Sequence, residues 1–373
     1  MERDGFVIHP GLLTIDFGAL AANWRMLAER VAPAGCGAVV KADAYGVGAT
    51  EAGPALYRAG CRNFFVAQSR EGVLLRRALP QADARIFVLN GLEPGADPIG
   101  DYCAHRLSPA IGSDAEFGRW RARAPASAPF ALHLDTGMRR LGFDSATALR
   151  ESLARHGTLG VELAMSHFVS AEAPGDPLND AQIRRFAQAR PLLPGVPGSL
   201  ANSSGAFLAA KPYCDLVRPG YALYGGNPVL PHPNPMAVVV TLEVAIQQVR
   251  WIEAGDTCGY NSQWTARRRT RLATILAGYA DGLPRGAGAI DGRPGAQVAI
   301  AGARCNLVGR MSMDLCIADI TDLPEDSLQP GERAELFGPT IPLDDFAARS
   351  GTIGYHLLTS LGPRYERRAI KPR

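Results

Sequence analysis

Lysine is what this chain most nearly lacks. Its 39 basic residues include only Lys41, Lys211 and Lys371, so arginine supplies the other 36. Other absences set wider bounds. The seven cysteines are an odd number with no C-x-x-C pair, which speaks against a disulfide framework and against a zinc site. No run approaches the ~18 apolar residues of a membrane span, so no membrane association is expected. The N-terminus, "MERDGFVIHPGLLTIDFG", lacks the uninterrupted apolar core of a signal peptide, and the expected location is cytoplasmic. A net charge of +3 is too small to call for nucleic acid as a partner, and "ARRRTR" at 266–271 reads as a solvated turn.

What is present describes a globular chain, 47% apolar and 20% charged. Its 373 residues exceed the size at which one core stops growing, so two domains are expected. From about residue 12 to 230, short apolar runs alternate with helix-patterned stretches. The runs are 36–42, 63–68, 84–90, 106–111, 130–137, 161–167, 198–202 and 215–225. Ser69 followed by Glu71, Ser145 and Asp180 stand where helices are expected to begin. Strands separated by helices pair in parallel through right-handed crossovers, and eight of them make an α/β fold of the (β/α)8 TIM-barrel type. A doubly wound open sheet would normally use fewer. Beyond the proline-rich "GGNPVLPHPNPM", the texture turns to alternating apolar and polar residues. Residues 231–373 are expected to form a mostly β domain, which residues 1–11 join.

Lys41 ends the first apolar run, in "GAVVKADAYGVG". Arginine keeps its proton at ordinary pH, whereas a desolvated lysine can lose it and act as base or Schiff-base nucleophile. A lysine whose stem packs while its ammonium reaches water is the plainer reading. In a barrel, reactive groups gather at the carboxyl ends of strands. Those ends here carry Lys41, Tyr45, Arg140 in "DTGMRRLGF", His167 in "SHF", Ser203 in "ANSSG" and Arg218 and Gly220 in "RPGY". The "ANSSG" segment is expected to open a helix, which would offer amides to an anion. Lysine opposite phosphate-binding groups is what pyridoxal 5′-phosphate requires. An aldolase or a phosphosugar barrel would use the same pair.

The segment "AVVKADAYGVG" closely resembles the cofactor-lysine signature of the alanine racemases. "DTGMRRLGF", "SHF", "ANSSG", "VRPGYALYGGNP", "GYNSQW", "AGYADGLPR", "VGRMSMD" and "TIGYHLLTSLGPRYER" resemble that family's later blocks, in its order, from Lys41 to Arg367. The resemblance implies an isomerase that binds pyridoxal phosphate and interconverts L- and D-alanine. Two bases on opposite faces of the cofactor would move the proton, Lys41 and Tyr260. A tyrosine needs a cationic or hydrogen-bonding neighbour to act as a base, and His167, linked to Arg218, is implied. Arg218 would face the pyridine nitrogen and donate without releasing its proton, which favours a racemase over a decarboxylase.

By the same resemblance Tyr45, Ser203, Tyr355 and the amides of Gly220 and Tyr221 bind phosphate. Arg140 and the Met313 amide hold the substrate carboxylate, Arg140 also meeting the cofactor's phenolic oxygen. Tyr279 limits side-chain size at the entrance. A homodimer with Tyr260 supplied in trans is implied. D-alanine for peptidoglycan, or alanine catabolism, would be its use. A broad-specificity racemase (serine, for example) shares all these residues, and a non-enzymatic cofactor carrier would need only the barrel. The chain departs from the family at Val47, where histidine is usual, at Ser312, where cysteine is common, and at His133. Many relatives carry there a lysine modified to a carbamate, which orients the arginine at position 140.

Overall fold

Short β-branched and aromatic runs build the first unit of the computed structural model, which describes residues 10–94, 99–325, 328 and 331–371. Seven of them pair in parallel and in chain order: Ala38–Val39, Asn63–Val66, Arg85–Val88, Leu107–Ile111, Phe130–His133, Val161–Met165 and Gly198–Ser199. An eighth, Leu216–Val217, pairs in parallel with Gly35–Cys36, just ahead of the first. The amides of Gly37 and Val39 donate to the carbonyls of Val217 and Pro219. On its other side, Asp215 and Arg218 donate to the carbonyls of Gly198 and Ala201. The last strand therefore meets the first, and the sheet closes as a (β/α)8 barrel. Closure removes the exposed edges that would leave strands of two to five residues unstable.

The expected strands are longer than the observed ones at the mouth. The first ends at Val39, so Lys41 begins a turn instead of ending a strand. The eighth stops at Val217, because Pro219 has no amide to donate and Tyr221–Tyr224 coil into a 3-10 turn. The helix expected after "ANSSG" is only a 3-10 turn, Gly205–Phe207. Helix starts shift as well. Ser145 caps Ala146–His156 by accepting from the Ala148 amide, as expected from its residue type. Asp176, not Asp180, caps Pro177–Ala189, because Pro177 favours the first helical position. Gln68 precedes Ser69–Ala78, so Ser69 is its first residue.

The second unit joins the segment ending at Phe17 to the chain from Val238, while Gly18–Ala237 form the barrel unit. The sequence pattern places the barrel at residues 12–230. The strand Gly11–Asp16 instead pairs antiparallel with Val240–Ile252 and parallel with Glu366–Ile370. Residues 1–9 of the expected N-terminal contribution lie outside the described residues. Val240–Ile252 also pairs with Thr270–Ile275 and Arg333–Phe337, which makes it the spine of an antiparallel, β-rich sheet. Of the "ARRRTR" arginines, Arg271 is buried and donates to the carbonyls of Leu323 and Pro324, so only part of that run is a solvated turn. Among the described residues, no helix is long and apolar enough to cross a membrane.

The preference for arginine has a visible use in the barrel. Arg76, buried near the end of Ser69–Ala78, donates to the carbonyls of Leu79, Gln81, Ala84, His105 and Arg106. Only a planar fork of donors reaches so many acceptors at once. Arg76→Met keeps the stem but leaves those carbonyls unpaired. It should cost about 3 kcal/mol in urea unfolding. A loss below about 0.5 kcal/mol would contradict the account.

Candidate active site at the barrel mouth

Lys41 opens a single turn, Lys41–Tyr45, in which Ala42, Asp43, Ala44 and Tyr45 have φ between 52° and 55°. Left-handed backbone costs about 1–2 kcal/mol at each residue bearing a Cβ. Local bonds hold it. Ala44 donates to the Val40 carbonyl at 2.9 Å and Gly46 to that of Ala42 at 2.8 Å. The Ala49 amide donates to Asp43 Oδ1 at 2.8 Å, and the Ala42 amide to Glu71 Oε1 at 2.8 Å. The turn carries Tyr45 into the interior, stacked on Tyr224 at 4.7 Å between ring centroids. Burial raises the Tyr45 phenol well above its ordinary value, so it stays protonated and can donate.

Gly220 lies against Tyr45, and Ser203 braces the same backbone. The amides of Gly220 and Ala222 donate to Ser203 Oγ at 3.0 and 3.2 Å, which leaves the Ser203 hydroxyl proton to donate elsewhere. A Cβ on Gly220 would lie 2.4 Å from Tyr45 Oη and 3.3 Å from Val39 Cβ. Glycine is required there because the phenol comes so close to the backbone.

Arg218, 3% exposed, ties three strands together. Its Nη1 donates to Ser199 Oγ at 2.5 Å and its Nη2 to the Ser166 carbonyl at 2.5 Å. Nη2 also lies 3.4 Å from His167 Nδ1. Burial lowers Arg218 to about 10, still protonated at neutral pH. Among the described residues, its Nε–H has no acceptor.

Around it the site is short of anions. Burial, then Arg218, Arg140, Lys41 and His133, push His167 down to about 3. Burial and Arg218 push His133 down to about 4, with Asp135 opposing and Arg140 adding to the fall. Lys41, half-buried, is held below the ordinary lysine value by burial and then by Arg140, with Glu71 opposing. Arg140 makes no hydrogen bond or ion pair among the described residues. Cationic and neutral groups thus converge with an open arginine, an arrangement that receives an anion and makes an amine hold its proton less tightly.

The remaining expected residues belong to the β-rich unit. Tyr260 is 61% exposed, in a turn where Gly259, Asn261 and Ser262 all have positive φ. It borders a cleft of about 580 Å³ with Arg310, Ser312 and Leu315. Tyr279 and Met313 are exposed on neighbouring loops, joined where the amides of Tyr279 and Ala280 donate to the carbonyls of Ser312 and Met313. The Met313 amide itself has no acceptor among the described residues. Tyr355 is half-buried in the first turn of Gly354–Ser360.

Residues 15–228 match the model of the alanine racemase N-terminal domain, and residues 239–369 that of the C-terminal domain. The chain belongs to the alanine racemase family. It is 50% identical to an alanine racemase of Methylobacterium sp. (strain 4-46) over 97% of this chain and 98% of the relative. It is 44% identical to a catabolic alanine racemase of Agrobacterium fabrum, over 97% and 92% of the two chains. Among solved structures, the alanine racemase of Bartonella henselae with covalently bound pyridoxal phosphate superposes with a TM-score of 0.88. It shares 38% identity, over 97% of this chain and 99% of that one.

Alanine racemase blocks read from the sequence did not include the residues that brace the site. Gln182, buried in Pro177–Ala189, donates to the His167 carbonyl at 2.8 Å and to Thr136 Oγ1 at 3.0 Å, and accepts from the Val169 amide at 2.9 Å. Ser199 was missed as well. No local pattern marks them, since each acts on a residue distant in sequence. Of the two roles open to His167, cationic or hydrogen-bonding, its lowered proton affinity favours the second.

Two neutral histidines, His133 buried and His167 half-buried, make stability depend on pH. In the unfolded chain a histidine takes up a proton near 6.5. Below that pH the unfolded state binds more protons, so stability present above it is lost as the pH falls towards about 4. His133→Asn should therefore lose less unfolding free energy than the parent between about pH 6.5 and 4.5. Equal losses in urea titrations at the two pH values would contradict the neutral-histidine assignment.

Proposed function

We propose that this chain interconverts L- and D-alanine with pyridoxal 5′-phosphate seated at the barrel mouth. The observation that carries the reading is Lys41, desolvated and set near Arg140, with His167 bearing on both it and the buried Arg218. The residues present fit the cofactor. Tyr45 Oη abuts Gly220 so closely that no Cβ could intervene, and Ser203 meets the same backbone, so donors converge there for a phosphate. Tyr45, Ser203, Tyr355 and the amides of Gly220 and Tyr221 would hold it. The free Nε–H of Arg218 would meet the ring nitrogen, and the Lys41 amine the aldehyde carbon.

When bound, the cofactor draws electrons from the amino acid's Cα and makes its proton removable. The chain supplies the rest. Lys41 takes or returns the proton on one face, and its lowered pKa raises the share of free amine near neutral pH. Tyr260 serves the other face, with His167 as its neutral hydrogen-bonding partner. Arg140 and the Met313 amide orient the carboxylate, and Tyr279 restricts the side chain. His133, neutral and buried, supplies no carbamate, so the substrate carboxylate itself becomes the anion that Arg140 faces.

A homodimer with Tyr260 acting in trans completes the reading. Its support is the run of large side chains left exposed on the β-rich unit: Tyr260, Tyr279, Met313, Leu315 and Ile353. A cytoplasmic enzyme fits the absence of membrane-spanning helices among the described residues.

Lys41→Ala should be colourless and lose more than about a hundredfold in racemisation. A colourless variant with full activity would overturn the lysine's role. For the shared site, Lys41→Ala and Tyr260→Phe chains, each inactive alone, are refolded together. Action in trans leaves one intact site per heterodimer and restores roughly a quarter of parental activity. No recovery in a demonstrated heterodimer would place both bases within one chain.

A further inference from the structure

Glu71 stands at the first turn of Ser69–Ala78 and spends its carboxylate in two directions. Oε2 accepts the amides of Ala67 and Gln68 at 2.7 and 3.2 Å, which serves the start of its own helix. Oε1 reaches outside the helix to accept the Ala42 amide at 2.8 Å. Ala42 directly follows Lys41 and is the first residue of the left-handed turn. The far end of the same helix is fixed by Arg76 through five carbonyls. Glu71 therefore transmits a rigid anchor to a strained segment, and it needs both oxygens as acceptors to do so.

We propose that Glu71 is the positioning residue for Lys41, holding the lysine-bearing turn in its left-handed form and keeping one negative charge beside the amine. The inference deepens the reading of Lys41 as the cofactor lysine and rests on it. The charged and titratable groups that bear on Lys41 are Arg140, beyond Phe130–His133, His167, beyond Val161–Met165, and Glu71 itself. Asp43, on the turn, commits Oδ1 to the Ala49 amide. His167 is neutral, so Glu71 is the group that works against burial and Arg140 in setting the amine's proton affinity.

Glu71→Gln separates the two duties, because an amide has one acceptor oxygen where the carboxylate has two. Its kcat should fall about tenfold or more with little change in KM, as expected when a reactive group is misplaced. The charge is read separately, on the full-length chain freed of cofactor. The pH midpoint at which Lys41 is modified by an amine reagent is followed by mass spectrometry, which resolves the three lysines. Loss of the carboxylate should move that midpoint down by about one pH unit. Ser113→Ala removes a cap from another barrel helix, Asp114–Arg123, and should leave the midpoint in place. Ala42→Gly in the Glu71→Gln background should recover kcat, because glycine takes positive φ without strain, while the midpoint stays low. An unchanged midpoint with an unchanged kcat in Glu71→Gln would overturn the proposal. So would an equal shift in Ser113→Ala, or no recovery on adding Ala42→Gly. The midpoint is measured without cofactor, so it tests Glu71 even if Lys41→Ala were to bind the cofactor and defeat the underlying reading.

Discussion

A guanidinium buried without a carboxylate governs this site. Taking a charge out of water is costly unless fixed dipoles replace the lost hydration. Arg218 meets that cost with Ser199 Oγ and the Ser166 carbonyl, and Ser199 in turn donates to the Leu216 carbonyl at 2.5 Å. The network links the sixth, seventh and eighth barrel strands at their carboxyl ends. Burial, reinforced by the same charge, holds His133 and His167 neutral. A carboxylate in its place would attract protons to the neighbouring groups. Arginine excludes them.

The second constraint is the turn after Lys41. A continuous strand would leave Tyr45 out of register with the glycine it abuts. Four consecutive residues in left-handed backbone reverse the chain sharply enough to bury Tyr45 against Tyr224, and Tyr224 Oη donates to the Val39 carbonyl at 2.9 Å. Strain at this point is offset by bonds on every side of the turn. Such strain persists only where the surroundings overdetermine it, and that is common at reactive sites.

Much of this was legible in the chain alone. The alternation of apolar runs and helical stretches implied the barrel, and the rarity of lysine singled out Lys41. Family-like blocks then marked Tyr45, Arg140, His167, Ser203, Arg218 and Gly220, which the barrel gathers at one mouth. The left-handed turn was not legible, because "KADAY" has no glycine or asparagine to announce positive φ. The contacts of Gln182 and Glu71 across the fold were not legible, for another reason. A glutamate three residues past a helix start reads as a cap, and only the fold shows that its second oxygen reaches Ala42. The neutrality of His167 likewise follows from three-dimensional burial beside Arg218, which no spacing encodes.

In the proposed site Arg218 would face the cofactor's ring nitrogen and donate to it without releasing its proton, which would leave the ring a weak electron sink and favour return of the proton to Cα. Arg218→Glu, checked for folding and cofactor content, puts a proton-attracting group at that point. Racemisation should then fall while transamination of alanine to pyruvate rises relative to it. A ratio of the two activities equal to that of the parent would contradict the account.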